Sequence, residues 1–472
     1  LADSSNKGRV VVLGAGPGGY PAAFLAAHHG FDVTLIDERS RPGGVCLNVG
    51  CIPSKALLHV AKLINESHES SAWGVSFAKP QIDIDKVRAW KDKVVAQLTG
   101  GLGALSKAYK VNFVQGRGKF DSNKQITVKK SDGSTEAIAF DFAIIATGSR
   151  PAMPKLFQIG DPRVMDSTAA LELKDIPGKL LVVGGGYIGL EMATAYAALG
   201  SKVTVVEMQS GLLPGADRDV AEIMTRELTP RVEQILLDTR VTEVKADKAG
   251  IKVKLLGVDL NEERTYDRIL ISVGRVPNSQ DLGLENLKVK VTERGFIASD
   301  HQRRTDEPNV FVIGDVAGEP QLAHKATHEG RVAVEAMAGI PASFQPAAIP
   351  AVVFTDPEVA WAGVTEVEAV NRGLSHRVVK FPWQASGRAL TLGRNSGLTK
   401  LIVDPKSNRV LGVGIVGYGA GDLISEAVLA IEMGATAQDL ALTIHPHPTT
   451  SETLMEAADL FFGHSAHVAP KR

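Results

Sequence analysis

The run Arg9-Val10-Val11-Val12-Leu13-Gly14-Ala15-Gly16-Pro17-Gly18-Gly19 decides how the rest of the chain is read. A short β-branched stretch enters a Gly-x-Gly-x-x-Gly turn. The Ala-rich segment Tyr20–Gly30 follows as a helix, and a strand Asp32–Ile36 ends at Asp37. In such a unit the glycines permit the tight turn, let backbone approach a pyrophosphate and bring helix close to strand. An acid about 20 residues further on takes a ribose hydroxyl pair. A bare glycine pattern is weak evidence, but here strand, helix and acid are all in place, so Gly14, Gly16, Gly19 and Asp37 are read as a dinucleotide site.

The same unit recurs. Lys179–Val183 is apolar, Gly184-Gly185-Gly186-Tyr187-Ile188-Gly189 follows, Leu190–Gly200 reads as a helix, and the strand Lys202–Val206 ends at Glu207. The second copy is intact, which points to two dinucleotides bound at once rather than to a duplicated and decayed domain. A carboxylate at Glu207 hydrogen-bonds an adenosine 2′-hydroxyl and repels a 2′-phosphate, so the second site is expected to take NAD rather than NADP.

Between the two copies lies Gly43-Gly44-Val45-Cys46-Leu47-Asn48-Val49-Gly50-Cys51-Ile52-Pro53-Ser54-Lys55, which holds both cysteines of the 472-residue chain. Two sulfurs at that spacing can close a small ring, and Pro53 suits the first turn of a helix beginning just after Cys51. A thiolate at a helix N-terminus is stabilised by unpaired N–H groups and the dipole, and Lys55 adds a positive charge. Half a zinc site would need further Cys or His ligands at finger spacing, and none follows, so no metal is expected. The pair reads as a redox dithiol.

Composition places this in an ordinary globular protein of several domains. Lys and Arg total 52 against 53 Asp and Glu, a net charge of −1, which gives no hint of nucleic acid or an anionic membrane as partner. No purely apolar run approaches ~18 residues, the length that suggests a membrane span. The start, Leu1–Gly8, is polar and carries no signal-peptide core; without an initiator Met it reads as processed, trimmed or excised from something longer. Buried strands Ala143–Ala146, Ile269–Val273 and Val310–Ile313 run into Thr147-Gly148, Gly274 and Gly314-Asp315. After about residue 340 the pattern changes to strands and hairpins (Thr399–Val403, Val410–Val416), a helix Asp422–Met433 and the closing Ile444-His445-Pro446-His447-Pro448-Thr449-Thr450-Ser451-Glu452, a separate α+β module.

In this order and at these spacings, the motifs resemble the FAD-dependent pyridine nucleotide–disulfide oxidoreductases over nearly the whole chain. The resemblance rests on Gly14–Gly19 with Asp37, Gly43–Lys55, Ala146–Gly148, Gly184–Glu191 with Glu207, Val310–Asp315 and His445–Glu452. It implies an α/β fold with two Rossmann-like dinucleotide-binding domains, for FAD at 1–150 and NAD at 151–277. A central domain at 278–347 would complete the FAD site, and a C-terminal α+β dimerisation domain would occupy 348–472. It also implies a homodimer in which the C-terminal segment of one subunit completes the active site of the other.

Residue by residue, the resemblance implies that Gly14, Gly16, Gly19, Gly44, Thr147 and Gly148 meet FAD, that Asp37 holds its adenosine ribose, and that Asp315 beside Gly314 contacts its ribityl and phosphate region. Gly118 and Ala323 match positions where backbone meets FAD. Gly184, Gly186, Tyr187, Ile188, Gly189, Glu207, Val241 and Gly274 match the NAD side. Lys55 and Glu191 match an ion pair beside the flavin ring. Cys46 matches the outer sulfur attacked by substrate and Cys51 the inner one. A base is needed because free thiols are mostly protonated at neutral pH; an imidazole suits, and His447 with Glu452 matches the family's His–Glu dyad. His445 competes, but its spacing to Glu452 does not match.

Members that need extra C-terminal thiols are excluded, because no cysteine follows Cys51, and members lacking the cysteine pair are excluded by its presence. A glutathione-type reductase remains the alternative, favoured by Tyr187. Against it, the helix position expected to carry an arginine for the glutathione carboxylates is Phe24, which suits the hydrocarbon arm of lipoamide instead. The implied substrate is dihydrolipoamide on the lipoyl domains of a 2-oxoacid dehydrogenase or glycine-cleavage complex, in the cytoplasm.

Overall fold

In the computed structural model, which describes residues 7–469, Arg9–Leu13 is the middle strand of a five-stranded parallel sheet. The order is Val310–Val312, Phe142–Ile145, Arg9–Leu13, Asp32–Asp37, Asn112–Gln115. Val10–Leu13 are all buried, as expected of a strand with both faces covered. Residues 1–6, most of the polar start Leu1–Gly8, lie outside the described residues.

Two compact units are present. One gathers the chain up to Ala56, Asp85–Ala152 and Gly274–Gln345; the other takes Leu57–Ile84, Met153–Val273 and the chain from Pro346. In the first, the helix Gly19–His28 crosses between the strands Arg9–Leu13 and Asp32–Asp37 and packs against the helix Ala323–Met337. An antiparallel three-stranded sheet, Arg117–Ser122, Gln125–Lys129 and Thr135–Ala139, precedes the strand Phe142–Ile145.

The second unit repeats this plan. Its parallel sheet runs Gln234–Leu236, Lys202–Val206, Lys179–Val183, Arg268–Ile271, Val164–Met165, and its own antiparallel trio is Arg240–Ala246, Ile251–Leu256 and Asn261–Tyr266. The copies differ at the outer strand. In the first sheet it arrives late in the chain, as Val310–Val312, and in the second it arrives early, as Val164–Met165.

The second unit also holds a five-stranded antiparallel sheet ordered Ala351–Val353, Glu358–Gly363, Val410–Gly417, Leu398–Val403, Arg377–Pro382. All six residues of Leu398–Val403 are buried, because the helices Ala420–Glu432 and Glu452–Phe462 pack on this sheet. Trp383 anchors the core: its indole N–H donates to Thr399 Oγ1 at 3.0 Å, and Thr399 is hydrogen-bonded at 2.8 Å to Thr453 on the last helix. The chain closes against this ring at Gly397 and Gly417, where an added Cβ would come within 2.6 and 2.3 Å of it.

The run 44–73 has the length and mean hydropathy of a membrane span, which a search for purely apolar runs does not flag. It is interrupted at Gly50, where one helix ends and another begins, and it carries Lys55, His59, Lys62, Glu66 and Glu69. Those charges suit a partly buried helix in water better than hydrocarbon.

Candidate active site

The cysteine stretch is tied to the first glycine turn by backbone. The Gly43 N–H donates to Ala15 O at 2.8 Å, and Gly44 lies so close to Gly16 that a Cβ on it would come within 2.5 Å of the Gly16 Cα. The helix is not single, as the spacing suggests, nor does it start after Cys51. A short helix Gly44–Val49 carries Cys46, and a long one, Cys51–Glu69, opens on Cys51 itself. Gly50 makes the join, since a Cβ there would meet Val45 O at 2.9 Å and Cys46 Cα at 3.2 Å.

Cys46 is half-buried and Cys51 exposed. A hydrogen bond with Cys51, burial and the neighbouring Cys51 charge push the Cys46 thiol well above the ordinary value, against the pull of the Cys51 backbone N–H and Lys55. Charge is thus disfavoured on Cys46, and the lowered pKa expected of a thiolate at a helix N-terminus does not describe this sulfur.

The glycines of the first turn divide into two kinds. A Cβ on Gly14 would lie 2.2 Å from Ala146 O and one on Gly19 would lie 1.8 Å from Gly14 O, so these two close the strand–helix joint. Gly16 has nothing nearer than 3.9 Å, and Gly148 has nothing within 4 Å. No side chain caps the helix Gly19–His28, whose Tyr20 N–H is taken by Gly16 O at 3.1 Å. Asp37 stands at the end of its strand with Oδ2 accepting from the Ala15 N–H at 2.7 Å and Oδ1 from the Arg39 N–H at 2.8 Å. Burial raises its pKa and outweighs those two bonds. Clearance for a pyrophosphate, an uncapped helix end and a fixed carboxylate together fit the adenosine diphosphate half of FAD.

Gly314 and Asp315 are brought to the same unit on Val310–Val312. The Gly314 N–H donates to Glu329 Oε2 at 2.7 Å, and Asp315 Oδ2 accepts from the Ser149 hydroxyl. Thr147 and Gly148 are clamped by Asn278, which accepts from Thr147 Oγ1 at 2.7 Å through its carbonyl and donates to Thr147 O at 3.0 Å and Gly148 O at 2.9 Å. Gly118 has a packing reason for its size: a Cβ would meet Leu13 Cδ1 at 2.7 Å. Ala323 opens the helix Ala323–Met337.

The second turn repeats the division. Cβ atoms on Gly184 and Gly189 would meet Ser272 O at 2.5 Å and Gly184 O at 2.2 Å, whereas Gly186 has open space and its helix, Tyr187–Leu199, has no side-chain cap. Glu207 accepts from the Gly185 N–H at 2.7 Å and the Gln209 N–H at 2.8 Å, the counterpart of Asp37. Tyr187 is exposed at the mouth of this turn, with Ile188 next to it half-buried. Val241 sits at a bulge in its strand, and Gly274 has nothing within 4 Å of a Cβ position. Glu191, buried on the following helix, accepts from the Phe354 N–H at 3.1 Å.

The two C-terminal histidines have different surroundings. His445 is buried, with Nε2 on Glu426 Oε1 and Nδ1 on Thr443 O, both at 2.8 Å. His447 has its side chain 76% exposed and, among the described residues, bonds only through Nδ1, on Glu452 Oε1 at 2.8 Å. Glu452 opens the last helix and is fixed by the Thr449 N–H at 2.7 Å. Burial works against its charge, but the Thr449 N–H and the His447 ring outweigh it and leave the carboxyl below its usual value. An oriented imidazole with a free outer nitrogen is the arrangement of a general base.

Sequence reasoning missed the supports. Arg275 donates from Nε to Ser149 Oγ and from a terminal nitrogen to Ser149 O, both at 2.7 Å, so it aims the hydroxyl that holds Asp315. Beneath Gly314, buried Lys325 and Glu329 pair at 3.2 Å and Arg303 reaches Glu329 at 3.0 Å. The i,i+4 spacing of Lys325 and Glu329 was visible, but on a helix it reads as a surface pair.

The family described as pyridine nucleotide-disulphide oxidoreductase matches residues 8–330, and its dimerisation domain matches residues 349–458. The dihydrolipoyl dehydrogenase of Vibrio cholerae serotype O1 is 50% identical over 458 residues, 97% of this chain and 96% of the relative. That of Geobacillus stearothermophilus is 42% identical over 471 residues, covering 100% of both. Among solved structures, LpdA from Mycobacterium tuberculosis superposes with a TM-score of 0.89 at 28% identity, over 96% of this chain and 99% of that one. The HOCl-induced flavoprotein disulfide reductase RclA from Escherichia coli gives 0.85 at 29% identity, over 96% and 99%.

Proposed function

Because the chain belongs to the pyridine nucleotide-disulphide oxidoreductases, we propose that it oxidises protein-bound dihydrolipoamide to lipoamide and reduces NAD⁺. The observation that carries this reading is the dithiol at the head of a helix, fastened by backbone to a dinucleotide turn, on a chain with a second such turn. FAD, when bound, accepts the electron pair of the dithiol and returns it to NAD⁺ as a hydride.

The chain's own residues have these roles. In the oxidised enzyme a substrate thiolate attacks Cys46, forming a mixed disulfide, and Cys51 leaves as a thiolate. The second substrate thiolate then attacks its own mixed-disulfide sulfur, releasing lipoamide and the Cys46 thiolate, which takes a proton. His447 of the partner subunit accepts the proton lost by substrate, and Glu452 orients its ring and balances the imidazolium. The reduced pair keeps its proton on Cys46 and its charge on Cys51, where the helix dipole favours it. Lys55 and Glu191 would supply charge to the surroundings of the flavin when it is bound.

An aromatic row suited to a lipoyl arm runs from the helix Gly19–His28 to Tyr109. Tyr20 and Phe24 rings lie 5.9 Å apart, and Phe24 stacks on Tyr109 at 5.2 Å. The Tyr20 hydroxyl has its pKa raised by burial and, to a lesser extent, by the charge of Cys46. The dimerisation region supports a homodimer, and it leaves Leu429, Met433, Leu442 and Ile444 exposed, apolar surface that a second subunit would cover. The physiological partners we infer are lipoyl domains of a 2-oxoacid dehydrogenase or glycine-cleavage complex, met in the cytoplasm.

Steady-state kinetics test the reading. With dihydrolipoamide as donor, kcat/KM for NAD⁺ should exceed that for NADP⁺ by about a hundredfold, because Glu207 cannot accept a 2′-phosphate without an unpaired charge. Efficient NADPH-driven reduction of glutathione disulfide, with lipoamide inert, would favour the glutathione-type alternative that Tyr187 suggests.

A further inference from the structure

The antiparallel sheet of the second unit buries a lysine. Lys400 lies in the middle of Leu398–Val403, fully inaccessible to solvent. Its Nζ is 2.9 Å from Asp217 Oδ2, 3.1 Å from Asp219 and 2.6 Å from Glu366 Oε2. Lys380, on the adjacent strand, pairs with Asp219 from the other side, and both Asp217 oxygens accept from the Glu366 N–H at 3.0 and 3.1 Å. Burial would strip the proton from Lys400, but Glu366, Asp217 and Asp219 outweigh it and keep the ammonium charged.

The two aspartates flank Arg218, the first residue of the helix Arg218–Leu228. The Arg218 guanidinium turns back to donate to Leu213 O at 2.6 Å and Ala216 O at 3.1 Å. It fills the turn at Gly211, where a Cβ would come within 2.2 Å of it. Leu213 in turn donates its N–H to Gly185 O at 3.0 Å, within the second glycine turn, and is held at φ +50°, a strained conformation for a leucine. At the start of the same loop, Gln209 gives its N–H to Glu207. The loop also rests on the sheet directly: a Cβ on Gly215 would touch Trp361 at 3.4 Å, and one on Gly414, opposite Lys400, would touch Val220 at 3.2 Å.

We propose that Lys400 is a positioning residue for the dinucleotide, holding the loop from Gln209 to Ala216 through Asp217, Asp219 and Arg218 so that Glu207 and Gly185 stand ready for the adenosine ribose and pyrophosphate. This rests on the reading of Gly184–Glu207 as the NAD site. The dimerisation domain thereby sets the shape of the adenosine side of a site to which it contributes no contact of its own. Without the ammonium, three carboxylates face one another with only Lys380 left to balance Asp219, and the helix start moves away from the sheet. The loop then loses the arginine that closes it.

The test is Lys400→Met in the flavin-loaded protein, with affinity for ADP-ribose and for NADH measured by equilibrium titration. ADP-ribose binding should weaken by about tenfold, within the usual range of coupling between sites, with a matching rise in KM for NAD⁺. The single-turnover reduction of bound flavin by dihydrolipoamide should keep its rate. Should that variant not fold, Glu366→Gln, at a half-exposed side chain, removes the shortest of the three contacts and should weaken ADP-ribose binding by roughly threefold. Parental affinity for ADP-ribose in a folded variant, or equal losses in the dinucleotide and dithiol half-reactions, would overturn the assignment. If the parent itself binds neither ADP-ribose nor NADH, the reading of the second glycine turn falls, and the role given to Lys400 falls with it.

Discussion

Replacing His447 with glutamine lowers dihydrolipoamide turnover by about 10²–10⁴-fold, the usual contribution of a positioned base, while FAD stays bound. Glutamine keeps the length and polarity of the side chain but cannot take a proton from a thiol. His447 is held by Glu452 and takes no part in the hydrogen bonds that fix Asp37, so flavin content has no reason to change. His445 provides the internal control. Its ring is buried with both nitrogens engaged, so His445→Gln should act on stability and leave the chemistry within a few-fold of the parent. The folded Glu452 carboxyl sits below its ordinary value of 4.5, so the stability it contributes is present above that value and is lost as pH falls through the lower one. The dyad therefore persists across the neutral range. Near-normal turnover in His447→Gln would remove the histidine from its role.

Substituting either cysteine by serine abolishes lipoamide turnover, by at least about 10³-fold, because the exchange needs two sulfurs. The two variants differ in colour. In Cys46→Ser the remaining sulfur is the one at the helix head, where the dipole favours a thiolate, so a thiolate–flavin absorption is expected at neutral pH without any reductant. In Cys51→Ser that absorption should be missing at every redox state. The argument rests on where the proton goes: Cys46 is half-buried, bonded to its neighbour and pushed up in pKa. Were the band to survive in Cys51→Ser and vanish in Cys46→Ser, the inner and outer sulfurs would have to be exchanged.

The parts of this protein that follow from local pattern could be read from the sequence closely. The strand expected over Asp32–Ile36 spans Asp32–Asp37, the helix expected over Leu190–Gly200 spans Tyr187–Leu199, and Asp422–Met433 is found as Ala420–Glu432. The remainder depends on contacts between distant segments. Nothing near Val310 says that it completes a sheet begun at Arg9, since strand order is settled by packing rather than by periodicity. Likewise nothing within the strand expected over Thr399–Val403 says that its lysine is buried. The lysine is buried because its three carboxylates come from Asp217, Asp219 and Glu366, none of them nearby in sequence. At the site, His447 could be singled out only by its spacing to Glu452. The difference in burial between it and His445 is a property of the folded chain.

The central claim is that the Cys46–Cys51 pair and a flavin exchange electrons directly, and an anaerobic titration with dihydrolipoamide, followed by NAD⁺, tests it in one cuvette. The account predicts a yellow protein whose visible spectrum gains a long-wavelength thiolate–flavin band as dihydrolipoamide is added, and loses it with formation of NADH when NAD⁺ follows. A colourless preparation, or a flavin spectrum that dihydrolipoamide leaves untouched, would contradict it.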